Sequence, residues 1–420
     1  MNVTCDVVVI GGGSAGVAAA VAAARSGARV ILIERYGYLG GAGTASLVHT
    51  FCGLYRLDEN LKTANPGLPT ELPLRLIEDG VAQAPVKLGR VHVLPHHPMK
   101  LAAWYDRFVA ETNGLEVWFH SEVISARVDA VRLVEIDCVS RGVRRTITAS
   151  AFVDASGDAV LAQYAEQEWT QVSSDQLQRP AFIATLQGVD QSILHADGPI
   201  RLAGEIAQAV RAEKLPLDCL GAHFRGSQHA GEIFVTVDLP GGDASSGFDP
   251  LSVASLSRLE TTGRATVQAL ITQVRQLQNA HVSAWPIRAG IRESRRWIGR
   301  YELTEEDLMS SAPFDDGVAA ASWPMELRET TRGPRLLYPL GSTSADIPLR
   351  SLRAARLDNV FTAGRCISTS HRAQASTRVM GTALATGQAA GLAAAFSNSH
   401  DDHESLATQV KKALNQGPSD

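Results

Sequence analysis

The chain has 420 residues, which is enough for two packed domains because a single hydrophobic core rarely grows beyond about 250 residues. Its content of 45% hydrophobic and 20% charged residues is that of an ordinary globular protein. The formal net charge of -5 excludes the strongly basic surface with which proteins bind nucleic acid or anionic membranes.

The most apolar stretch runs from Val17 to Ile33, but Arg25, Gly27 and Arg29 interrupt it. It therefore falls short of the roughly 20 uninterrupted apolar residues of a membrane span. The amino terminus has no basic region, and Asp6 comes early, so it does not resemble a signal peptide. The five cysteines include no Cys-x-x-Cys pair, and we expect reduced thiols. These features predict a cytoplasmic protein with neither membrane nor nucleic acid as a partner.

The first predicted elements are a strand, a glycine turn and a helix. The apolar run Cys5 to Ile10 leads into Gly11-Gly12-Gly13-Ser14-Ala15-Gly16, which the alanine-rich segment Val17 to Arg25 follows. A second apolar run, Val30 to Ile33, ends in Glu34. This order predicts a βαβ unit with an acidic residue at its end.

The residue types of this unit suit a dinucleotide. Gly11 allows a tight turn, Gly13 lets the backbone approach a pyrophosphate, and Gly16 lets the helix pack closely on the sheet. Backbone N–H groups at the start of the helix then face the phosphates. Glu34 can accept hydrogen bonds from ribose hydroxyls. A glycine turn alone could be merely flexible, but the complete unit favours dinucleotide binding.

A second glycine-rich segment, Gly40-Gly41-Ala42-Gly43-Thr44, follows soon after Glu34. Paired glycines let a backbone pass close to a bulky cofactor, although an ordinary loop could have the same composition.

The middle of the chain leaves the βαβ pattern. Two alternating runs, Arg127 to Val139 and Arg144 to Phe152, predict a β-meander. Strands at Ala181 to Leu186 and Glu232 to Val237, and a helical stretch from Leu251 to Leu277, follow. We therefore predict an α/β fold, with a Rossmann-type domain of residues 1–160 and 340–420 and an inserted α+β substrate or cap domain of residues 161–339.

Several further motifs resemble those of the FAD-dependent oxidoreductases of the glutathione-reductase-like superfamily. Besides the two glycine segments, they are Val153 to Asp158, Gly290 to Arg296, Asp346 to Leu352 and the tract Asn359 to Gly391, which includes Ala363-Gly364-Arg365-Cys366-Ile367-Ser368. The resemblance covers both ends and the middle of the chain.

The resemblance implies that FAD is the cofactor. It places Asp154 to Asp158 near the adenosine, the backbone of Val123 at the adenine, and Arg365 beside the pyrophosphate. It also implies that a helix after Arg378 points its N-terminus at the flavin, where orphan N–H groups stabilise the reduced form. The helix could equally owe its small residues to close packing on the sheet.

The predicted FAD-binding residues are Gly11, Gly13, Ser14, Ala15, Gly16, Glu34, Arg35, Gly40, Gly41, Gly43, Thr44, Val123, Ala155, Gly157, Asp158, Gly364, Arg365, Arg378, Met380, Gly381 and Thr382.

Four residues are candidates for the chemistry. Arg292 could anchor an anionic or hydroxylated substrate with Glu293 orienting it, or the two could belong to a helix with Glu293 paired to Arg296. His371 could carry protons or be a structural histidine. His49 could face the substrate or carry a covalent flavin link, and nearby Cys52 shares these options. The remaining histidines, including His96 and His97, are expected at the surface, with no metal site.

The segment Trp323 to Arg328 departs from the family pattern, which has an aspartate and a histidine where Glu326 and Arg328 stand. A different substrate, or a different charge on it, is therefore expected.

The expected function is an FAD-dependent dehydrogenase or oxidase that takes hydride from a small polar substrate. A flavin-dependent monooxygenase and a non-catalytic FAD-binding protein are the alternatives. No later strand leads into a second G-x-G-x-x-G, so the partner that accepts or donates electrons is expected to bind transiently.

Overall fold

The structure is a computed structural model that describes residues 2–58, 60–240, 247–331, 333–340, 344–399 and 402–416. The elements of the first part are, in chain order, β1 (Asn2–Ile10), α1 (Ser14–Arg25), β2 (Val30–Ile33), β3 (Thr50–Phe51), α2 (Leu68–Glu78), β4 (Val86–Leu88), β5 (Val91–Pro95), α3 (Pro98–Ala110), β6 (Leu115–Trp118), β7 (Glu122–Asp129), β8 (Arg132–Ser140), β9 (Val143–Asp154), α4 (Val160–Tyr164) and β10 (Trp169–Thr170).

The predicted βαβ unit is the centre of the main sheet, whose strand order is β6-β2-β1-β9-β8-β7. Strand β1 pairs in parallel with β2 on one side and with β9 on the other. Every residue of α1 except the last is buried, because its alanines let it pack flat on the sheet. The carboxyl ends of β1, β2 and β9 therefore meet at one edge, where doubly wound α/β folds bind their ligands.

The β-meander has three strands, β7, β8 and β9, paired antiparallel in sequence. The run expected from Arg127 to Val139 is interrupted at Ala130, whose positive φ of 51° turns the chain between β7 and β8. Val123 lies in β7, the second strand after α3 rather than the first.

The cap contains a separate antiparallel sheet of order β12-β13-β11-β14, with two helices against it. Both predicted cap strands and the long predicted helix are present. The elements are β11 (Ala181–Gln187), α5 (Gly198–Arg211), β12 (His223–Gly226), β13 (Glu232–Asp238), α6 (Val253–Gln273) and β14 (His281–Ala284).

The remaining elements return to the first domain. They are β15 (Arg296–Trp297), α7 (Glu305–Ser310), β16 (Gly317–Ala321), β17 (Met325–Leu327), β18 (Arg335–Leu337), β19 (Ala345–Pro348), β20 (Val360–Thr362), α8 (His371–Thr377), α9 (Met380–Phe396) and α10 (His403–Gln416).

Hydrophobic packing places the end of the cap at an earlier residue than the predicted boundary at residue 339. Leu303, Leu308 and Leu327 belong to the same apolar core as Val7 and Val17 of the Rossmann unit. The cap has its own core, in which Phe182, Val235 and Val267 take part. The residues from Leu303 onward therefore pack with the first domain, and the cap ends before them.

Helix α9 is buried along most of its length and crosses α1 closely. A Cβ at Gly387 or Gly391 would overlap the carbonyl oxygens of Ala15 and Ala19, so only glycine permits this contact. Strand β20 joins the main sheet beside β9. These contacts bring the N-terminus of α9 to the edge of the sheet where the glycine turn lies.

In the described part of the chain, no single helix is long and apolar enough to cross a membrane. Helix α8 and the segment Met380–Ser399 meet the length and composition test only as a pair bent by 94°.

Candidate active site

The glycine turn between β1 and α1 has two glycines fixed by packing and one that is open. Gly11 has a φ of +95°, and a Cβ there would lie 2.7 Å from the carbonyl oxygen of Ala155. A Cβ at Gly16 would overlap the carbonyl oxygen of Gly11. A Cβ at Gly13 would meet only Gly41, at 3.9 Å from its Cα. Of these three, Gly13 alone presents open backbone, as close approach of a phosphate requires.

Glu34 closes on this turn from the end of β2. Its Oε2 accepts a hydrogen bond from the Gly12 N–H at 2.6 Å, and its Oε1 accepts one from the Tyr36 N–H at 2.9 Å. The side chain is 6% exposed. Each carboxylate oxygen keeps a second lone pair, so Glu34 can still accept from a ribose hydroxyl.

The segment from Gly40 to Thr44 lies along the turn. The Gly40 N–H donates to the Gly12 carbonyl at 2.8 Å, and Gly13 and Gly40 form a parallel bridge. The Thr44 hydroxyl donates to the Leu39 carbonyl at 2.7 Å and fixes the segment's end. The two glycine motifs, which are separate in the sequence, therefore lie side by side and form one backbone surface.

An arginine cluster surrounds Asp158 beside this surface. Arg365 contacts the carboxylate at 2.7 Å and Arg35 at 3.5 Å. Burial would raise the pKa of Asp158, but the two guanidinium groups outweigh burial and lower it to about 2. Arg288, which the sequence analysis missed, acts on the same carboxylate and lies over Tyr36.

The cluster keeps net positive charge even when Glu34 is counted, because three arginines face two carboxylates. Arg365 Nη1 and Arg288 Nε are buried and have no hydrogen-bond partner among the described residues. Gly364 positions Arg365 next to α1, since a Cβ at Gly364 would lie 2.9 Å from that of Ala15. A buried donor without an acceptor is costly, so these atoms indicate an anionic ligand group.

The N-terminus of α9 closes the other end of the surface. The Gly381 N–H donates to the Cys52 carbonyl at 2.8 Å, and a Cβ at Gly43 would lie 2.9 Å from Met380 Sδ. The hydroxyl of Thr382, in the first turn of α9, is buried without a partner in the described chain.

The described residues therefore fit FAD. Open backbone at Gly13, unpartnered guanidinium donors and Ser14 suit the pyrophosphate, and Glu34 suits the ribose. Met380 and Thr382 suit the flavin end, whereas Gly381 already donates its N–H to Cys52. The Ser121 N–H donates to the Glu34 carbonyl at 3.0 Å, which brings the chain before Val123 to the expected adenosine end. The individual assignments remain predictions.

The segment from Gly290 to Arg295 is irregular rather than helical, so the helix expected there is wrong. Arg292 instead contacts Asp238 of the cap at 2.7 Å and the Arg179 carbonyl. Arg328 contacts the other oxygen of Asp238 at 2.9 Å and also Glu326, at 2.7 Å. Arg328 thus ties the first domain to the cap strand β13, and Arg292, in the segment that leads out of the cap, shares the same carboxylate.

Glu293 is 1% exposed, and its contacts are with residues other than Arg292. It accepts hydrogen bonds from Arg296 Nη1 at 2.6 Å, which confirms the expected ion pair, and contacts His371 Nδ1 at 2.7 Å. Glu293 therefore holds His371 in place, and any direct role in orienting a substrate stays a prediction.

The cap sheet presents one face to the first domain. Phe234 of β13 stacks on His49 with ring centroids 4.2 Å apart. Asp238, four residues later in the same strand, lies on the same face of the sheet. Arg225 and His223 of β12 pair with Phe234 and Thr236, so they share this face. The sequence signal was the period-two spacing of these residues, which cannot tell one face of a sheet from the other.

Between this face and the first domain lies a cavity of about 130 Å³, called here the cap cavity. His49, Thr50, His96, Arg225 and Phe234 line it together with apolar residues of the β4–β5 hairpin. His96 Nε2 lies 3.2 Å from the Gly43 carbonyl, and Thr50 is two residues from Cys52. The cap cavity therefore adjoins the segments that reach the N-terminus of α9.

The titratable groups of this region have pKa values far from their ordinary ones. Burial lowers the pKa of His49 to about 3, with Arg225 acting in the same direction, and lowers that of His96 to about 4. Burial also raises the pKa of Cys52 to about 12. Burial would raise the pKa of Glu326, but Arg328 and Arg378 outweigh it and lower the pKa to about 2.

His96 and His97 are 3% and 9% exposed, so their expected surface position is wrong. His97, His229 and Glu232 bring possible ligand atoms within 4.8 Å of one another. His97 Nε2 already lies 3.1 Å from Glu232 Oε1, and this contact ties the start of α3 to the cap.

A model of the FAD dependent oxidoreductase family matches residues 6–413. No curated protein sequence matches the chain. The flavin-dependent brominase Bmp2 has a similar structure, with a TM-score of 0.52 and 14% identity over 98% of this chain and 84% of that one. A geranylgeranyl bacteriochlorophyll reductase-like protein from Thermoplasma acidophilum gives a TM-score of 0.49 at 12% identity, covering 99% of this chain and 84% of that one.

Proposed function

The chain belongs to the FAD dependent oxidoreductase family, and we propose that it is a flavin-dependent monooxygenase that acts on a small organic substrate in the cap cavity. The chain is thus an enzyme and FAD its cofactor, so the expectation of a non-catalytic FAD-binding protein is set aside. The proposed reaction consumes the substrate, O₂, a reduced nicotinamide and a proton, and yields hydroxylated substrate, water and the oxidised nicotinamide.

The observation that carries this proposal is the chemistry of the cap cavity. Its titratable lining residues, among those described, are His49, His96 and Arg225. The two histidines have pKa values lowered to about 3 and 4, so they are very weak bases, and Arg225 is a cation. Removing hydride from an alcohol is assisted by a base of ordinary strength that takes the hydroxyl proton. Oxygen insertion does not begin with that step.

Bound FAD, once reduced, would supply the activation of oxygen. The chain's own residues bind the substrate between the cap sheet and the segment from Gly43 to Cys52, and apolar hairpin residues contribute to the walls. The absence of a second dinucleotide motif in the sequence supports a reductant that binds transiently. A protein of the same fold is named a flavin-dependent brominase, so this scaffold elsewhere supports transfer of a new group to a substrate.

One observation favours the dehydrogenase or oxidase as a second candidate. His371 Nδ1 lies 2.7 Å from Glu293, and a histidine oriented by a buried carboxylate can accept a proton from a substrate. His371 is at the first position of α8 and does not line the cap cavity.

Anaerobic stopped-flow reduction of the FAD-loaded enzyme separates the two candidates. The monooxygenase is expected to keep its flavin absorbance when small acids, amides, alcohols and amines are added alone, and to lose it with a reduced nicotinamide. Bleaching by one of these compounds without a nicotinamide would overturn the proposal in favour of the dehydrogenase or oxidase. The variant His371→Gln would then abolish that bleaching.

A further inference from the structure

We propose that the cap cavity takes an aromatic carboxylate and that Arg225 holds its carboxylate group. This inference rests on the proposed function, because it names the substrate class of the same site.

Arg225 is a cation with no anionic partner among the described residues. Its guanidinium makes no hydrogen bond or ion pair with the residues that the structure describes, although it is half-buried in the cavity wall. Other buried arginines of the region are paired, including Arg292 with Asp238 and Arg296 with Glu293. Burying an unpaired charge is costly, and an anionic ligand would remove that cost.

Among the described residues, every acidic group on this side of the cap sheet already has a partner. Glu232 contacts His97, and Asp238 and Glu326 are shared by Arg292 and Arg328. Arg378 adds a further positive charge next to Glu326, whose carbonyl it contacts at 3.2 Å. Four arginines therefore face three carboxylates, one of which already contacts His97, and the excess positive charge favours an anionic substrate.

The other walls of the cavity suit an aromatic ring. His49 and Phe234 are stacked with an interplanar angle of 7° and offer flat surfaces, and His49 is neutral at pH 7 because its pKa is about 3. Val93 and Pro95 add apolar surface. An engineered apolar cavity of about 150 Å³ holds one benzene molecule, so the cavity of about 130 Å³ suits a single ring.

The cavity also has an apolar entrance. Val86 and Leu88, both in its lining, are 42% and 38% exposed. An aromatic acid can enter past these residues and meet the guanidinium of Arg225 inside. A planar guanidinium matches a carboxylate through two parallel hydrogen bonds, which an ammonium group cannot make.

Equilibrium titration of the oxidised, FAD-loaded enzyme tests this inference. The probes are three acids, benzoate, phenylacetate and 4-hydroxybenzoate, each compared with its neutral amide by isothermal titration calorimetry and flavin difference spectra. We expect at least one acid to bind about tenfold or more tightly than its amide, as a charge-assisted pair predicts. The corresponding cyclohexane carboxylate should bind more weakly than benzoate.

Arg225→Gln should remove the preference for the acid, and Arg225→Lys should restore part of it. Arg211→Gln, at the exposed end of α5, is the matched control and should bind like the wild type. Equal affinity for every acid and its amide, or an acid preference that survives in Arg225→Gln, would overturn the inference. FAD occupancy shows whether each variant is folded.

The measurement uses no nicotinamide and no turnover, so it is independent of the proposed reaction. Acid binding through Arg225 without oxygen insertion would contradict only the proposed monooxygenase function. Oxygen insertion into a neutral substrate, with no preference for acids, would contradict only the proposed carboxylate site.

Discussion

At the scale of single residues, the glycine turn separates packing from ligand binding. Gly11 and Gly16 cannot carry a side chain, because a Cβ would strike Ala155 or Gly11. Gly13 has open space, with Gly41 at 3.9 Å from a hypothetical Cβ. The sequence predicts a different role for each glycine, and the structure agrees in that the first and last are fixed by packing while the middle one is open.

Gly13→Ala should therefore fold like the wild type but bind FAD about tenfold more weakly, a loss of about 1.4 kcal/mol, because its methyl group enters the space for the pyrophosphate. FAD affinity is measured by fluorescence titration of apoenzyme and folding by thermal denaturation. Gly16→Ala is the contrast, since it should fail to fold. Unchanged FAD affinity in folded Gly13→Ala would contradict the assignment.

At the scale of elements, α9 combines the two roles that its sequence allowed. Its glycines permit close crossing over α1, and its first turn keeps an unpartnered hydroxyl on Thr382. Thr386, one turn later, is already satisfied, since its hydroxyl accepts from the Gly364 N–H at 3.1 Å and donates to the Thr382 carbonyl. The Thr382 hydroxyl is therefore available to a ligand, whereas Gly381 and Thr386 are bonded within the fold.

Thr382→Val should leave the apoenzyme as stable as the wild type or slightly more stable, because a buried hydroxyl without a partner is replaced by a methyl group of similar shape. It should weaken FAD binding by about 1 kcal/mol, or roughly fivefold, if the hydroxyl bonds the flavin. Thr386→Val is the control and should destabilise the apoenzyme. A destabilised Thr382→Val apoenzyme with normal FAD affinity would contradict the role.

The elements also show which features the sequence could predict. Strong periodicity and glycine motifs were sufficient for the βαβ unit, β11, β13 and α6. The helix predicted around Arg292 was wrong, because charged residues spaced three apart occur both in helices and in irregular loops. In such a loop the side chains pair with residues that are distant in the sequence. Arg225, Arg288 and Phe234 went unnoticed, since their importance comes from the cap's position over the Gly43 to Cys52 segment. That position depends on tertiary packing, which no local pattern encodes.

At the scale of the whole molecule, the cap is fastened to the first domain by buried charge pairs. Asp238 of β13 is 2% exposed and receives Arg292 and Arg328, both from chain beyond the cap helices. Burial would raise the pKa of Asp238, but these two arginines outweigh it and lower the pKa. Asp238 lies on the same face of the cap sheet as Phe234, which lines the cap cavity.

Arg292→Ala should lower the free energy of unfolding by about 2–4 kcal/mol, because it leaves a buried carboxylate with one partner instead of two. Denaturant unfolding with FAD bound measures the change. Arg300→Ala is the matched control, since its pair with Asp358 has the same 2.7 Å distance but is exposed. That variant should lose less than about 1 kcal/mol. Equal losses in the two variants would contradict the fastening role.

The central claim is that this enzyme inserts oxygen into a substrate held in the cap cavity, and mass spectrometry after turnover under ¹⁸O₂ tests it most directly. The FAD-loaded enzyme is supplied with a reduced nicotinamide and an acid that binds in the cavity. The product is expected to be heavier than the acid by one ¹⁸O atom and to form in smaller amounts with Arg225→Gln. A product oxidised without ¹⁸O, or one labelled only from H₂¹⁸O, would contradict it.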